Sequence, residues 1–176
     1  MSASSTPAKP HPLEFLIGTW SGKGKGFYPT IPSFEFFEEL IFVKDPAGRP
    51  IVQYSQKTRR AIPGAAGQDP TPGPPMHAES GFIRLPGWSD EKCELILSQP
   101  TGVASVELGT IEGSTIRWKL HSVVRSPSAK APHVTDFTRV WTINTANKTF
   151  DYVFAMATEN TPLQDHLEVS MRKVDA

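Results

Sequence analysis

Residues 18–31 read GTWSGKGKGFYPTI, and glycine occupies every second position from Gly22 to Gly26. Strand side chains alternate between two faces, so Trp20 and the three glycines share one face. Glycine weakens a strand interior, so three in register require a reason. A tight bend at a barrel corner, close approach of another backbone or helix, and room for a flat ligand all remain open. The stretch lacks the spacing of a phosphate-binding loop, and no helix-forming run follows it.

Short alternating segments extend outward from this stretch over the rest of the chain. They lie at 19–28, 34–44, 50–61, 76–85, 92–98, 103–111, 115–125, 134–144, 149–158 and 164–174. In 149–158, one face carries Phe150, Tyr152, Phe154 and Met156. Roughly ten strands joined mostly by short turns favour an all-β, antiparallel up-and-down barrel, because closure removes exposed edges. Side chains alone cannot fill a barrel of more than about eight strands, so we expect a cavity.

The remaining segments complete the predicted organisation. Leu13, Leu16 and Ile17 have helical spacing and predict a short N-terminal helix. Residues 1–10 are rich in Ser, Pro, Ala and Lys and predict a disordered tail, which leaves 11–176 as one barrel domain. Residues 62–75 contain five prolines and predict a long loop, either laid over a barrel mouth or a passive insertion.

Composition and motifs argue against several function classes. The 18 basic and 18 acidic residues balance, which gives no electrostatic reason to expect nucleic acid or an anionic membrane. A single cysteine, Cys93, and the lack of a signal sequence or an apolar membrane span predict a cytosolic protein. No nucleophile elbow or zinc or calcium spacing occurs, and the adjacent Glu38 and Glu39 lie on opposite strand faces.

His166 is the histidine with the strongest claim to a ligand role. In PLQDHLEVSM it opens the last strand, where Leu167, Val169 and Met171 form the apolar face. Period two therefore places His166 on the opposite face. Three explanations stay open: His166 is a surface residue, a bulge re-aims it, or the short helix or a second subunit covers the Leu167 face from outside. One imidazole suits haem better than zinc, because the macrocycle supplies the other four donors.

The ordered motifs resemble those of the nitrobindins, haem-binding barrels with a fold like that of fatty-acid-binding proteins. The resemblance spans about Leu13 to Val174. The matching motifs, in chain order, are G-x-W-x-G-x-G from Gly18, YPTI (28–31), FEFFEEL (34–40), PMHAESGFIR (75–84), QPTGVASVELG (99–109), SAK (128–130) and PLQDHL (162–167).

The resemblance implies a cofactor, a ligand and a reaction. Nitrobindins hold ferric haem b through one histidine of the last strand, which here is His166. Thr30 of YPTI and Lys130 of SAK correspond to further haem contacts. Strand position, not the resemblance, adds three candidates: Met76 and His77 at the start of a strand, where pointing into a cavity mouth and structural packing both stay open, and Met156 on one face of 149–158. The family is associated with nitric oxide binding and with isomerisation of peroxynitrite to nitrate.

A second interpretation of the barrel stays open. A lipocalin-like carrier would use the same cavity for a small hydrophobic ligand without haem, and His166 would then be incidental. Whether the chain is an enzyme, which reaction is physiological and whether it forms a homodimer are also open at this stage.

Overall fold

The computed structural model describes residues 10–174, and its strands close into one antiparallel barrel. The strands are β1 (Gly18–Tyr28), β2 (Ile31–Lys44), β3 (Ile51–Ile62), β4 (Thr71–Arg84), β5 (Lys92–Gln99), β6 (Val103–Glu112), β7 (Thr115–Arg125), β8 (Val134–Asn144), β9 (Thr149–Thr158) and β10 (Thr161–Val174). Their order around the barrel follows the chain, and β1 pairs with β10. The predicted fold class is confirmed, and β7, β8 and β9 have the predicted bounds.

The predicted N-terminal helix is a single 3₁₀ turn, Glu14–Leu16. This turn is shorter than the helix that the pattern suggested. Leu13 and Leu16 are nevertheless fully buried, as expected from their apolar spacing. The indole Nε1 of Trp20 donates to the Leu16 carbonyl oxygen at 2.7 Å. The turn therefore closes one end of the barrel. It does not cover Leu167, which lies toward the other end.

The three glycines of β1 allow close approach of neighbouring groups. A Cβ at Gly22 would lie 2.1 Å from the backbone oxygen of Ser170. A Cβ at Gly24 would lie 2.4 Å from the Phe36 ring, and one at Gly26 would lie 2.2 Å from the Phe34 ring. The bare face is thus filled by the backbone of β10 and by aromatic rings of β2. The alternative of room for a flat ligand is wrong.

Replacing Gly22 with alanine is expected to destabilise the fold by about 2–4 kcal/mol, because the added methyl meets backbone that cannot rotate away. Urea unfolding of the haem-free chain measures this change. Lys25→Ala on the exposed face of the same strand is the control, and it should stay within about 0.5 kcal/mol of wild type. A Gly22→Ala variant as stable as that control would contradict the close approach.

Aromatic side chains fill the closed half of the barrel. The largest fully buried ones include Trp20, Phe42, Tyr54, Trp118, Trp141 and Phe150. Trp141 is central, with its ring centroid 5.2 Å from that of Trp118 and 5.6 Å from that of Phe150. Edge-to-face contacts of this kind add to the burial of apolar area. The core therefore lies at the end closed by the 3₁₀ turn.

The proline-rich segment 62–75 is not a single long loop. β3 extends to Ile62 and β4 begins at Thr71, so only residues 63–70 connect them. β4 contains Pro72, Pro74 and Pro75 in a part that pairs only with β3, because its pairing with β5 begins at Ser80. Proline is tolerated there since no second neighbour needs its missing N–H. No residue of 62–75 lines the central cavity, which argues against a lid.

Most of the predicted disordered tail, residues 1–10, lies outside the described residues, which begin at Pro10. The assignment of 11–176 to one domain stays a prediction, as does the cytosolic location. Among residues 10–174, no helix is long and apolar enough to cross a membrane.

Candidate functional site

A cavity of about 760 Å³ occupies the half of the barrel opposite the aromatic core. Its walls are largely apolar and include Phe34, Phe36, Val123, Phe137, Phe154 and Met156. Backbone pairing between β7 and β8 ends at Lys119 and Thr138, short of the ends of both strands at the cavity. The unpaired ends carry Arg125 and Val134, which also line the cavity. The expectation that side chains would not fill the barrel is confirmed.

A bulge in β10 turns His166 into this cavity. Asp165 pairs with Ala155 of β9, whereas Leu167 pairs with the adjacent Phe154, so His166 is the extra residue. Both His166 and Leu167 line the cavity as a result. A bulge re-aims a side chain in this way. Of the three explanations for the parity of His166, the bulge is the one observed.

The backbone fixes which nitrogen of His166 faces the cavity. The register of β1 shifts between Gly26 and Tyr28, and the Phe27 carbonyl oxygen lies 2.9 Å from His166 Nδ1. A carbonyl oxygen only accepts, so Nδ1 carries the hydrogen and the neutral ring keeps its lone pair on Nε2. The rings of Tyr28 and Phe154 lie 5.1 and 6.2 Å from the imidazole and restrict its rotation. The arrangement matches that of a histidine prepared to bind a metal.

The structure brings most of the predicted site residues together around His166. Met76, His77, Lys130 and Met156 all line the same cavity. Thr30 does not: it lies in the exposed turn between β1 and β2 and is not part of the lining. Only the YPTI motif indicated a site role for Thr30. β1 ends at Tyr28 and β2 begins at Ile31, so Thr30 is not part of the barrel wall. A contact between Thr30 and haem stays a prediction.

The loop at the mouth of the cavity carries basic side chains and is held in place by hydrogen bonds. Lys130 and His133 lie in the connection between β7 and β8, next to Arg125. His133 Nδ1 is 3.1 Å from an oxygen of Glu159, and the His133 backbone N–H donates to the same carboxylate. These contacts lower the pKa of Glu159. The loop is thereby held against the turn between β9 and β10, beside His166.

The inner end of the cavity is a layer of buried polar side chains, called here the polar layer: Glu38, Gln56, Glu79, Glu107, Arg139 and Tyr152. Arg139 is its centre, donating from Nε to Glu107 and from Nη1 to Glu79, both at 2.9 Å. Burial raises the pKa of Glu79, but the charge of Arg139 and the hydrogen bonds from His77 and Arg139 together outweigh burial and lower the pKa to about 2. Burial raises the pKa of Glu107 to about 7 despite the same guanidinium.

Glu38 occupies the other side of the polar layer without a cation in contact. The Tyr152 hydroxyl donates to its two oxygens at 2.9 and 2.7 Å, and the Gln56 amide nitrogen also donates to it. Burial raises the pKa of Glu38 to about 7, although these hydrogen bonds act in the opposite direction. A buried carboxyl without a positive partner takes up a proton more readily.

The sequence analysis did not identify the polar layer. A signal was nevertheless present, because each charged member lies on the apolar face of its strand. Glu38 alternates with Phe36 and Leu40, and Arg139 alternates with Phe137 and Trp141. A charged residue at such a position is rarely buried without a partner. The partners could not be found from the sequence, since the six members of the polar layer come from six different strands.

The side chains that line the cavity limit which metal or cofactor it can bind. Within residues 10–174, no group of three or more His, Cys, Asp or Glu side chains could hold a bare metal ion. A single imidazole with a free Nε2 suits a macrocycle that already supplies four donors. The volume lies within the range of about 300–1,000 Å³ of ligand pockets, and aromatic walls suit a flat apolar ring. The residues present therefore fit haem.

Comparisons with known proteins agree with this assignment. A family model described as "THAP4-like, heme-binding beta-barrel domain" matches residues 9–173. Peroxynitrite isomerase 2 of Mycobacterium marinum is 34% identical over 95% of this chain and 98% of its own length. Human peroxynitrite isomerase THAP4 is 33% identical over 99% of this chain, which spans only 29% of that longer protein.

A solved structure is similar over nearly the whole barrel. The crystal structure of Rv2717c from M. tuberculosis has a TM-score of 0.75 and 33% sequence identity, covering 93% of this chain and 95% of that one. The nitrobindin resemblance of the sequence motifs is confirmed by the family model and by these relatives. The chain belongs to the family of THAP4-like, heme-binding β-barrels, the nitrobindins.

Proposed function

We propose that this protein binds haem b through His166 and isomerises peroxynitrite to nitrate. The observation that carries the proposal is the Nε2 lone pair of His166, held toward a large cavity by the bond from Nδ1 to the Phe27 carbonyl. The names of the relatives, peroxynitrite isomerases from bacteria, a plant and human, support the reaction. The family model supports the cofactor.

Each side chain of the site then has a defined task. Haem supplies an iron centre that can react with peroxynitrite and also bind nitric oxide. His166 ligates the iron, and Tyr28 and Phe154 hold the imidazole in place. Apolar residues such as Phe137 and Met156 exclude water from the ring face.

Basic side chains at the mouth complete the proposed site. Lys130 and Arg125 can attract the haem carboxylates and an anionic substrate. Met76, His77 and Met156 are proposed contacts of the haem ring, and Thr30 reaches the haem edge only if the β1–β2 turn moves.

The carrier interpretation is less well supported. A carrier for an apolar ligand needs an apolar lumen, whereas this cavity ends on the polar layer. At this inner end the Arg139 guanidinium is already bound to Glu79 and Glu107 and is not free to hold a fatty-acid carboxylate. No observation in the described part of the chain favours the carrier over the haem protein.

The isomerase proposal predicts a faster decay of peroxynitrite with haem-loaded protein than with an equal concentration of free haem. The increase should be at least about tenfold, because preorganised sites typically lower barriers by more than 1.4 kcal/mol. Stopped-flow absorbance measures the decay, and ion chromatography of the products should show a rise in nitrate relative to nitrite. The haem-free chain is the control. Equal decay rates with free and with protein-bound haem would show that the protein binds haem but does not catalyse the reaction.

A further inference from the structure

We propose that the inner end of the cavity is a second binding site, which takes a small organic cation such as an ammonium or amidinium group on Gln56 and Glu79. The proposal concerns the haem-free chain and does not depend on haem. Gln56 and Glu79 line the same cavity as His166, so a ligand entering at the mouth can reach them.

An unpaired acceptor marks the site. Gln56 is 5% exposed, and its side-chain oxygen Oε1 is buried without a hydrogen-bond partner among the described residues. The amide nitrogen of Gln56 donates to Glu38, which directs the oxygen away from that carboxylate. A buried acceptor left unpaired is destabilising, so a ligand that donates to it relieves this cost on binding.

Most hydrogen-bond donors around the site are already used. Arg139 donates to Glu79 and Glu107, and Gln99 Nε2 donates to Glu79 at 2.9 Å. The Tyr152 hydroxyl donates to Glu38. A ligand that only accepts hydrogen bonds, such as a carboxylate or nitrate, therefore finds only the Ser105 hydroxyl, which lines the cavity without a hydrogen-bond partner among the described residues. A ligand rich in N–H groups finds the Gln56 oxygen and the Glu79 carboxylate.

The charge count selects a cation among such ligands. Three carboxyls, Glu38, Glu79 and Glu107, share the polar layer with one guanidinium. His77 Nε2 lies 3.4 Å from Glu79, but that ring is half-exposed toward the mouth. At pH 8, above the raised pKa values of Glu38 and Glu107, the inner end has an excess of negative charge, which attracts a cation and repels an anion. The basic mouth of the cavity therefore favours anions, and the acidic inner end favours cations.

Three probes with the same ring and different charge test the proposal: benzamidinium, benzamide and benzoate. Titration calorimetry of the full, haem-free chain at pH 8 should show saturable binding of benzamidinium, at least about tenfold tighter than benzoate. Gln56→Met should weaken benzamidinium binding about tenfold, since it removes the acceptor. Gln53→Met, on the exposed face of the same strand, should leave it unchanged.

Glu38 supplies a second, independent variant. Glu38→Gln should also weaken benzamidinium, whereas Glu39→Gln on the exposed face should not. Wild-type affinity should rise from pH 6 to pH 8 as Glu38 and Glu107 lose their protons. The groups that face Glu38 are Tyr152 and Gln56 in contact, with Glu79 and Arg139 beyond them. The rise should be smaller in Glu38→Gln.

NMR on wild-type protein keeps the test decisive if a variant fails to fold. Magnetisation transfer from the benzamidinium ring should reach Gln56 and Tyr152, and not Lys130. Equal affinity for benzoate, no saturable benzamidinium binding, or contacts only at the mouth would overturn the proposal. Because the chain is free of haem, these outcomes are independent of peroxynitrite chemistry, and a failed isomerase assay would leave them unaffected.

Discussion

Replacing His166 with alanine is expected to abolish the ferric Soret band that wild-type protein acquires on addition of haem. The structure gives the reason: the Nε2 lone pair of His166 faces the cavity and Nδ1 is held by the Phe27 carbonyl. Loss of an outer-shell partner alone costs a metal site about 10- to 100-fold in affinity, so loss of the ligand should weaken haem binding at least about 100-fold. Haem titration followed by visible absorption measures it.

Two other histidines provide matched controls for this result. His77→Ala removes an imidazole from the same cavity, and His121→Ala removes one from the outer face of β7. Both variants should keep the Soret band. Free imidazole should restore part of the band in His166→Ala, because the deletion leaves space in the cavity. If His77→Ala lost the band and His166→Ala kept it, the ligand assignment would be wrong.

Replacing Arg139 with methionine is expected to destabilise the fold by about 3–5 kcal/mol, the usual cost of removing one partner of a buried ion pair. Glu79 and Glu107 would remain buried without a cation, although Arg139 now bonds to both. Urea unfolding at pH 7 measures this loss. The loss should shrink as the pH falls, because unpaired buried carboxyls have raised pKa values and are tolerated once protonated.

Further variants separate this effect from loss of packing. Adding Glu79→Gln and Glu107→Gln to Arg139→Met should recover part of the stability, since the uncompensated charges are removed. Arg117→Met breaks an exposed pair with Glu112 and should cost about 1 kcal/mol or less. A cost for Arg139→Met as small as that of Arg117→Met would show that the polar layer is not held by this guanidinium.

The barrel could be predicted from the sequence because its signal is local. Each strand alternates on its own, as in 149–158, and turns separate the strands, so no long-range information is needed to count them. Register irregularities are a different matter. The bulge that places both His166 and Leu167 in the cavity depends on the pairing of β10 with β9, which period two alone does not reveal.

The site was only partly predictable for the same reason. Motif resemblance located His166 and Lys130, and strand position located Met76, His77 and Met156, all of which line the cavity. It did not locate the polar layer, whose hydrogen bonds join residues such as Glu79 and Arg139 that are 60 positions apart. The repeated glycines of β1 are visible in the sequence, but the reason for them is not. They allow the close contacts with β10 and with the aromatic rings of β2. The polar layer and the glycine contacts both depend on which strands become neighbours in the folded barrel.

A crystal structure of the haem-loaded chain, with the anomalous signal of iron, is the most direct test of the central claim. We expect an iron peak within bonding distance of His166 Nε2, with Nδ1 still donating to the Phe27 carbonyl. An iron peak beside another residue, or an imidazole turned away from the cavity, would contradict it.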